Sequence, residues 1–489
     1  MEAIKKQPIY NFINGEYLLP SMRHQAQDLH SPLNGSYLGT LFYSTTEDIE
    51  KAIQAAKNAF PAWSQKTLKE RVQIFFRFRR LLEINKEPLS LLIQKENGKT
   101  REEAQAEVDK AIELCEFASA LPQFVQNEVQ EVSKGVECIL KHEPLGIVAS
   151  IVPFNFPLMV PMWTIPNAIA LGNCMLLKPS EKVPLTMIRI AELLDQAGLP
   201  KGVFNIVQGS KEVAEILCEH KDIKAISFVG STPIAKEVYR KATYNYKRCL
   251  ALGGAKNHLI VLPDADIEMT ASNIAASMSG CAGQRCMAAS VLLAVDNINP
   301  IIEQLCKEVQ KIIPGENLGA IISLEAKNRI ENAITAAEKA GAKILVDGRN
   351  TLVKGAENGY YIAPTIIDHV TPDMDIAKTE IFGPVIAIIH TKSLEEAINI
   401  ENANPYGNAA AIFTQNGAAA NYVMQYANAG MIGINVGVPV PREPFSFGGW
   451  NESKFGSHDI TGKSSIAFWT QLKKITTKWN AQARTNWMS

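Results

Sequence analysis

The amino-acid sequence predicts an α/β protein built on parallel sheets. Three observations carry this. From Leu145 onward, short apolar runs alternate with amphipathic, helix-like segments, the pattern of strands joined by helical crossovers. That alternation occurs in two successive series, which predicts two α/β domains in tandem. The length of 489 residues is enough for two or three domains with a sizeable core.

In the first series the strands are expected at Gly146–Val152, Cys174–Lys178, Val203–Val207, Ala225–Val229 and Arg248–Leu252, with helices at Val183–Gln196, Glu212–Glu219 and Thr232–Lys241. The second opens with a strand at His258–Leu262, a helix at Ile267–Cys281 and a strand at Ser290–Val295, and alternates on to Gly433. Upstream, residues 44–60 read as an amphipathic helix. Ser44 and Glu47 have the spacing of a capping box, and Ile49, Ala52, Ile53, Ala56 and Phe60 share one face. More helix is expected through the charged stretch to Phe117. There is no internal repeat, low-complexity tract or long linker.

Bulk composition excludes several function classes. The chain is 46% hydrophobic and 20% charged with a net charge of -1, so no basic field points to nucleic acid or an anionic membrane surface. The N-terminus lacks the apolar core of a signal peptide. One long uncharged stretch, Pro144 to Leu177, contains Pro153, Pro157, Pro161 and Pro166, whose missing N–H groups argue against a spanning helix. A cytoplasmic protein is expected. The eight cysteines form no CxxC pair and no Cys/His spacing typical of zinc, so no metal is expected and reduced thiols are.

Two segments carry chemistry. The chain contains no GxG, so the usual dinucleotide fingerprint is absent. A different turn is available at Phe228-Val229-Gly230-Ser231-Thr232, where Gly230 permits close backbone approach and Ser231 either caps a helix or faces a phosphate. The segment Gly283-Gln284-Arg285-Cys286-Met287 follows a helix rich in small residues. Cys286 is there either a buried inert thiol or a nucleophile whose thiolate is favoured by Arg285 and backbone amides.

The ordered motifs Pro153-Phe154-Asn155-Phe156-Pro157, Lys178-Pro179-Ser180-Glu181, Phe228-Val229-Gly230-Ser231, Gly283-Gln284-Arg285-Cys286 and Glu380-Ile381-Phe382-Gly383-Pro384 resemble those of the aldehyde dehydrogenase superfamily. The resemblance extends from Phe12-Ile13-Asn14-Gly15-Glu16 to the C-terminal region. It implies an aldehyde dehydrogenase-like fold: a modified Rossmann domain that binds NAD without GxGxxG (residues 1–124 and 144–252), an α/β catalytic domain (253–455), and a small β oligomerisation element (125–143 and 460–489). That element would join a segment near Gln126–Leu140 to the C-terminal tail, in a homodimer or homotetramer.

Cys286 is implied as the nucleophile, and Asn155 as the amide that meets the developing oxyanion. Phe154, Lys178, Glu181, Gly230, Ser231, Glu380 and Phe382 are implied as NAD ligands: Lys178 and Glu181 at the adenine ribose, Gly230 and Ser231 at the pyrophosphate, Glu380 and Phe382 at the nicotinamide end. Read without the resemblance, Asn155 is also a turn residue, Lys178 and Glu181 a surface ion pair, and Phe382 a core residue.

Hydrolytic members carry a general-base Glu in Glu-Leu-Gly-Gly-Lys. Here the stretch reads Ala251-Leu252-Gly253-Gly254-Ala255-Lys256-Asn257-His258, and neither Ala251 nor Leu252 accepts a proton. Gly-Ala-Lys-Asn-His (254–258), Ala-Gly-Gln-Arg-Cys-Met-Ala (282–288) and Phe-Trp-Thr-Gln-Leu-Lys-Lys-Ile-Thr (468–476) resemble the methylmalonate/malonate semialdehyde dehydrogenases. That branch transfers its acyl group to coenzyme A (CoA) with release of CO2, giving propanoyl-CoA or acetyl-CoA. A hydrolytic enzyme for another short semialdehyde is the alternative. For the substrate carboxylate the candidates are Arg285, suited to bidentate contact or else a structural salt bridge, Lys110, where the branch usually has Arg, and Arg442, which is otherwise simply exposed.

Overall fold

The computed structural model describes residues 8–20 and 25–479. The expected ends 1–7 and 480–489 of the NAD-binding and oligomerisation segments lie outside the described residues.

Two large twisted sheets dominate. The first has eight strands in the spatial order Lys454–Phe455, Arg248–Leu252, Ile223–Val229, Ile147–Ile151, Cys174–Lys178, Phe204–Ile206, Asn11–Ile13 and Glu16–Leu18. Its middle strands, Arg248–Leu252 through Phe204–Ile206, run parallel, and the flanking ones are antiparallel. These five parallel strands are the five expected from the sequence. The chain starts at Ile147–Ile151, adds strands on one side, then crosses to Ile223–Val229 on the other. The resulting crevice outside Ile151 and Val229 is where open α/β sheets bind ligands.

The second sheet has seven strands, ordered Lys343–Val346, Thr365–Asp368, Val385–Thr391, Ala289–Val295, Asn257–Val261, Ala409–Phe413 and Met431–Ile434. All are parallel except Lys343–Val346. Strands such as Asn257–Val261 are buried along their whole length, because helices cover both faces of a parallel sheet.

A third, antiparallel sheet joins the hairpin Glu128–Ser133 and Val136–Pro144 to the C-terminal strand Thr470–Lys478, with Thr470 opposite Pro144 and Lys478 opposite Val136. The pairing of the excursion with the tail is as the resemblance implied. The segment just before that strand lies inside the molecule: Phe468 and Trp469 of the short helix Ser464–Trp469 are fully buried in the core around the first sheet.

Two local expectations are corrected. The first helix is Thr46–Gln65, and its capping box is Thr45 with Asp48 rather than Ser44 with Glu47. Thr45 has the extended conformation a cap requires, whereas the Ser44 hydroxyl donates to Asn11 Oδ1 at 2.9 Å. The helix expected to reach Cys281 ends at Ser279. Cys281, Ala282 and Gly283 then adopt left-handed φ angles of 53°, 51° and 69°. Gly283 is obligatory there, since a Cβ would lie 2.1 Å from the Gly383 carbonyl carbon. Among the described residues no helix is long and apolar enough to cross a membrane. The stretch with four prolines forms instead the buried strand Ile147–Ile151 and the buried helix Met159–Ala170.

Candidate active site

The two parallel sheets meet end to edge. Asn155, Gly230 and Ala255 follow strands of the first sheet at their carboxyl ends, whereas Asn257, Cys286, Glu380 and Asn408 stand at or just before the amino ends of strands in the second. Three contacts join these edges. Asn155 Nδ2 donates to the Gln284 carbonyl at 3.0 Å, the Ala255 N–H donates to Glu380 Oε1 at 3.0 Å, and the rings of Phe154 and Phe382 pack edge to face with centroids 5.8 Å apart. Phe382 holds a left-handed φ of 54°, uncommon for a bulky side chain.

The Cys286 loop is fixed by amides. Asn257 Nδ2 donates to the Cys286 carbonyl at 2.7 Å and to that of Ala288 at 3.0 Å, and Asn408 Nδ2 donates to the same Cys286 carbonyl at 2.9 Å. Gln284 is buried and ties the loop to a neighbouring segment: its Oε1 accepts from the Ile322 N–H at 3.0 Å and its Nε2 donates to the Ala320 carbonyl at 3.1 Å. These bonds hold the backbone on both sides of the half-buried thiol. Burial pushes the Cys286 thiol up to about 12, and the nearby Glu380 carboxylate adds to the rise. Its own N–H, Arg285 and the Met287 N–H pull the other way.

Behind this loop runs the helix Arg101–Phe124, one face of which sequence reading missed. Glu103 Oε1 accepts the Cys281 N–H at 2.5 Å, at the left-handed turn. Glu107 Oε1 accepts the N–H groups of Leu158 and Met159 at 2.8 and 2.9 Å, where the helix after Asn155 begins and a carboxylate is favoured. Its other oxygen lies 2.5 Å from Lys99 Nζ, in an ion pair that is almost wholly buried. Lys99 also donates to the Asn155 carbonyl at 2.6 Å and sits 3.9 Å from the Phe156 ring centroid. The oxyanion candidate is therefore held by its carbonyl as well as by its amide. In sequence, the stripe Glu103, Glu107 and Lys110 looks like a solvated helix face; the only signal was the small apolar residues Ala104, Val108 and Ala111 beside it.

The other candidate ligands fall into two groups. Lys178 is buried rather than a surface residue; its Nζ donates to the Pro179 carbonyl at 2.9 Å and lies 3.3 Å from Glu181 Oε2. Burial lowers its pKa. Ser231 occupies the N-cap position of the helix Thr232–Tyr244, but its hydroxyl makes no capping bond, which corrects one of the two roles left open for it. Thr232 Oγ1 instead accepts the Gly254 N–H at 2.9 Å and donates to the Glu452 carbonyl at 3.0 Å. Glu380 is raised by burial, opposed by the Ala255 N–H, Lys256 and Arg329. Lys256 itself is buried, donates to the Thr379 carbonyl at 2.8 Å and is lowered to about 7 by desolvation.

The second group holds the expected cations. Arg285 folds back over the preceding helix, with Nη2 donating to the Ala276 and Ser277 carbonyls at 2.8 and 3.0 Å, and among the described residues it makes no salt bridge. Its Nε is buried without a partner. Lys110 and Arg442 both reach Glu113, and neither is a free cation. Lys110 Nζ lies 2.7 Å from Glu443 Oε2 and 3.1 Å from Glu113 Oε2, while the exposed Arg442 reaches Glu113 at 3.5 Å. Two carboxylates thus neutralise the two cations. Ala251 and Leu252 are buried in the strand Arg248–Leu252 and offer no titratable group.

Comparison with known proteins gives the family of the chain. The family model described as the aldehyde dehydrogenase family matches residues 20–475. Malonate-semialdehyde dehydrogenase 2 of Bacillus thuringiensis is 43% identical over 482 residues, covering 97% of this chain and 98% of that protein. Malonate-semialdehyde dehydrogenase of Halalkalibacterium halodurans is 41% identical, over 97% and 99% of the two chains. The crystal structure of methylmalonate-semialdehyde dehydrogenase from Oceanimonas doudoroffii superposes with a TM-score of 0.95 at 39% identity, over 97% of this chain and 99% of that one. A Sinorhizobium meliloti relative solved with NAD gives 0.96 at 39% identity, over 98% and 99%. With its two-sheet architecture and a match over nearly its full length, the chain belongs to the aldehyde dehydrogenase family.

Proposed function

We propose that this protein is an NAD-dependent, CoA-acylating semialdehyde dehydrogenase that converts malonate or methylmalonate semialdehyde to acetyl-CoA or propanoyl-CoA with release of CO2. The observation that carries the CoA part is the apolar, buried pair Ala251 and Leu252 at the place of the hydrolytic base. The names and identities of the relatives support the substrate class.

The residues present fit NAD. The Ser231 hydroxyl is uncommitted to its own helix end, and the N-terminus of Thr232–Tyr244 favours a pyrophosphate. Gly254 leaves the space beside Glu380 Oε2 that a Cβ, 2.5 Å away, would fill. We assign Lys178 and Glu181 to the adenine ribose, Gly230 and Ser231 to the pyrophosphate, and Phe154, Glu380 and Phe382 to the nicotinamide end. When bound, NAD supplies the hydride acceptor.

After its proton passes to solvent, Cys286 Sγ attacks the aldehyde carbon; the C=O π bond breaks and its electron pair moves to oxygen, giving a thiohemiacetal whose oxygen carries the negative charge. Asn155 Nδ2 keeps one N–H for the Gln284 carbonyl and aims the other at this oxygen, with the Cys286 N–H as second donor. Hydride loss leaves a malonyl or methylmalonyl thioester on Cys286; its carboxylate leaves as CO2, the C–C electron pair passes into the thioester enolate, and a proton from solvent gives the acetyl or propanoyl thioester. Water meets no base at 251 or 252, so a thiol takes the acyl group more readily. Arg285 is assigned to the substrate carboxylate through the edge of its guanidinium not spent on Ala276 and Ser277. Lys110 and Arg442, already paired, set the charge around it. The three-stranded sheet, with Val129, Val132, Leu472 and Ile475 exposed, is assigned to a homodimer or homotetramer interface.

The test is NADH formation from malonate semialdehyde with and without CoA, with the product identified. Turnover that requires CoA and yields acetyl-CoA supports the reading. Steady turnover to a free acid without CoA overturns it.

A further inference from the structure

A second cluster of chemically able side chains lies far from Cys286. Asp368 ends the strand Thr365–Asp368, His369 follows it, and His390 lies in the adjacent parallel strand Val385–Thr391. One ligand atom from each of the three residues falls within 4.8 Å of the others. His390 Nε2 is 2.7 Å from Asp368 Oδ1, and His369 Nε2 is 3.9 Å from Asp368 Oδ2. The two imidazoles lie face to face, tilted by 33°, with centroids 5.5 Å apart. Sequence spacing hid the group, because two of its members are adjacent and the third comes from the neighbouring strand.

Its geometry is built rather than incidental. Asp368 is buried, and its Oδ1 also accepts the His369 N–H at 2.7 Å, which fixes the carboxylate plane. His369 is held at a left-handed φ of 55°, which turns its side chain back toward Asp368 instead of along the strand. Both rings keep an exposed face, so an ion enters from solvent.

We propose that Asp368, His369 and His390 form a binding site for one divalent transition-metal ion of the zinc class, with water completing the coordination. Two imidazole nitrogens and one carboxylate oxygen form a set that zinc takes at about 2.0–2.2 Å in a tetrahedron. Of the two imidazoles, His369 is exposed and His390 half-exposed, so both side chains have solvent beside them in which to reorient toward an ion. Hard ions such as magnesium or calcium prefer all-oxygen sets, so the two histidines select against them.

The site stands at the carboxyl edge of the second sheet, whereas Cys286 and Glu380 stand at its amino edge. The length of the strand from Val385 to His390 separates them by roughly 17 Å. The ion therefore ties two strand ends together and takes no part in the aldehyde chemistry.

Zinc and cobalt(II) binding to the full chain tests this, in a Cys286→Ala background that removes a competing thiol. The expected result is one equivalent of zinc, a rise in Tm, and a cobalt d–d spectrum without thiolate charge transfer. His369→Ala and His390→Ala are each expected to weaken binding about ten-fold or more. His369 is exposed, so its variant remains informative if His390→Ala fails to fold. In the chain that retains Cys286, His369→Ala is expected to leave NADH formation unchanged. No stoichiometric binding, a thiolate charge-transfer band, or affinity unchanged in His369→Ala would overturn the proposal.

Discussion

Asn155 donates its side-chain amide to the Gln284 carbonyl at 3.0 Å while its own carbonyl accepts from Lys99 Nζ at 2.6 Å. One residue thus bridges the carboxyl edge of the first sheet, the loop of Cys286 and a buried cation. Replacing Asn155 by Ala removes the proposed oxyanion donor. A fall in kcat of about a hundred- to a thousand-fold is expected, with NAD affinity unchanged. Steady-state kinetics alongside NAD titration measure both; an equal loss of NAD affinity would make the residue structural.

The buried pair beneath it makes a second prediction. Lys99→Met leaves Glu107 as an uncompensated buried charge, and Glu107→Gln does the reverse, so each is expected to destabilise by about 3–5 kcal/mol. The double variant is expected to recover part of this. Urea denaturation of the parent, the two single variants and the double variant reads the coupling, and strict additivity would show that the ion pair is not the source.

Glu380 and Cys286 give a third. The carboxylate raises the thiol, so Glu380→Gln removes a negative charge and shifts the Cys286 pKa downward from about 12. The rate of alkylation by iodoacetamide, followed against pH without NAD, is expected to rise at a lower pH in the variant. A profile that stays put would place Glu380 outside electrostatic reach.

A fourth concerns stability. Burial raises the Glu401 carboxyl from 4.5 to about 7, with the Asn428 N–H opposing. Between those values the folded state binds the proton more tightly than the unfolded chain, so this group lowers stability as pH rises through that window and levels off above it. The slope approaches about 1.4 kcal/mol per pH unit at most. Glu401→Gln keeps an acceptor for Asn428 and is expected to flatten that part of the Tm-against-pH curve relative to the parent.

Local pattern alone located the five parallel strands of the first sheet, whereas the candidate reacting groups were reached only through the family resemblance. Ile147–Ile151, Cys174–Lys178 and Arg248–Leu252 are legible because a strand buried on both faces must be a continuous apolar run. Cys286, Asn155 and Glu380 are legible because their chemistry resides in short contiguous motifs. Short-range competition between hydroxyls misplaced the first cap by one residue. Ser44 found Asn11 across the sheet, a partner thirty-three positions away that no local spacing reveals.

What only the tertiary structure decided was the pairing of charges. Sequence presents Lys110, Arg442 and Arg285 as three cations for one carboxylate; folding assigns Glu443 and Glu113 to two of them and two backbone carbonyls to the third. It likewise sets the buried Lys99 and Glu107 and the half-buried Glu103 against the backbone of Asn155, Leu158 and Cys281, and brings His390 to Asp368 across adjacent strands. The physical reason is range: periodicity and motif report on neighbours along the chain, whereas the partner of a charge is set by which elements the packed core brings within a few ångströms.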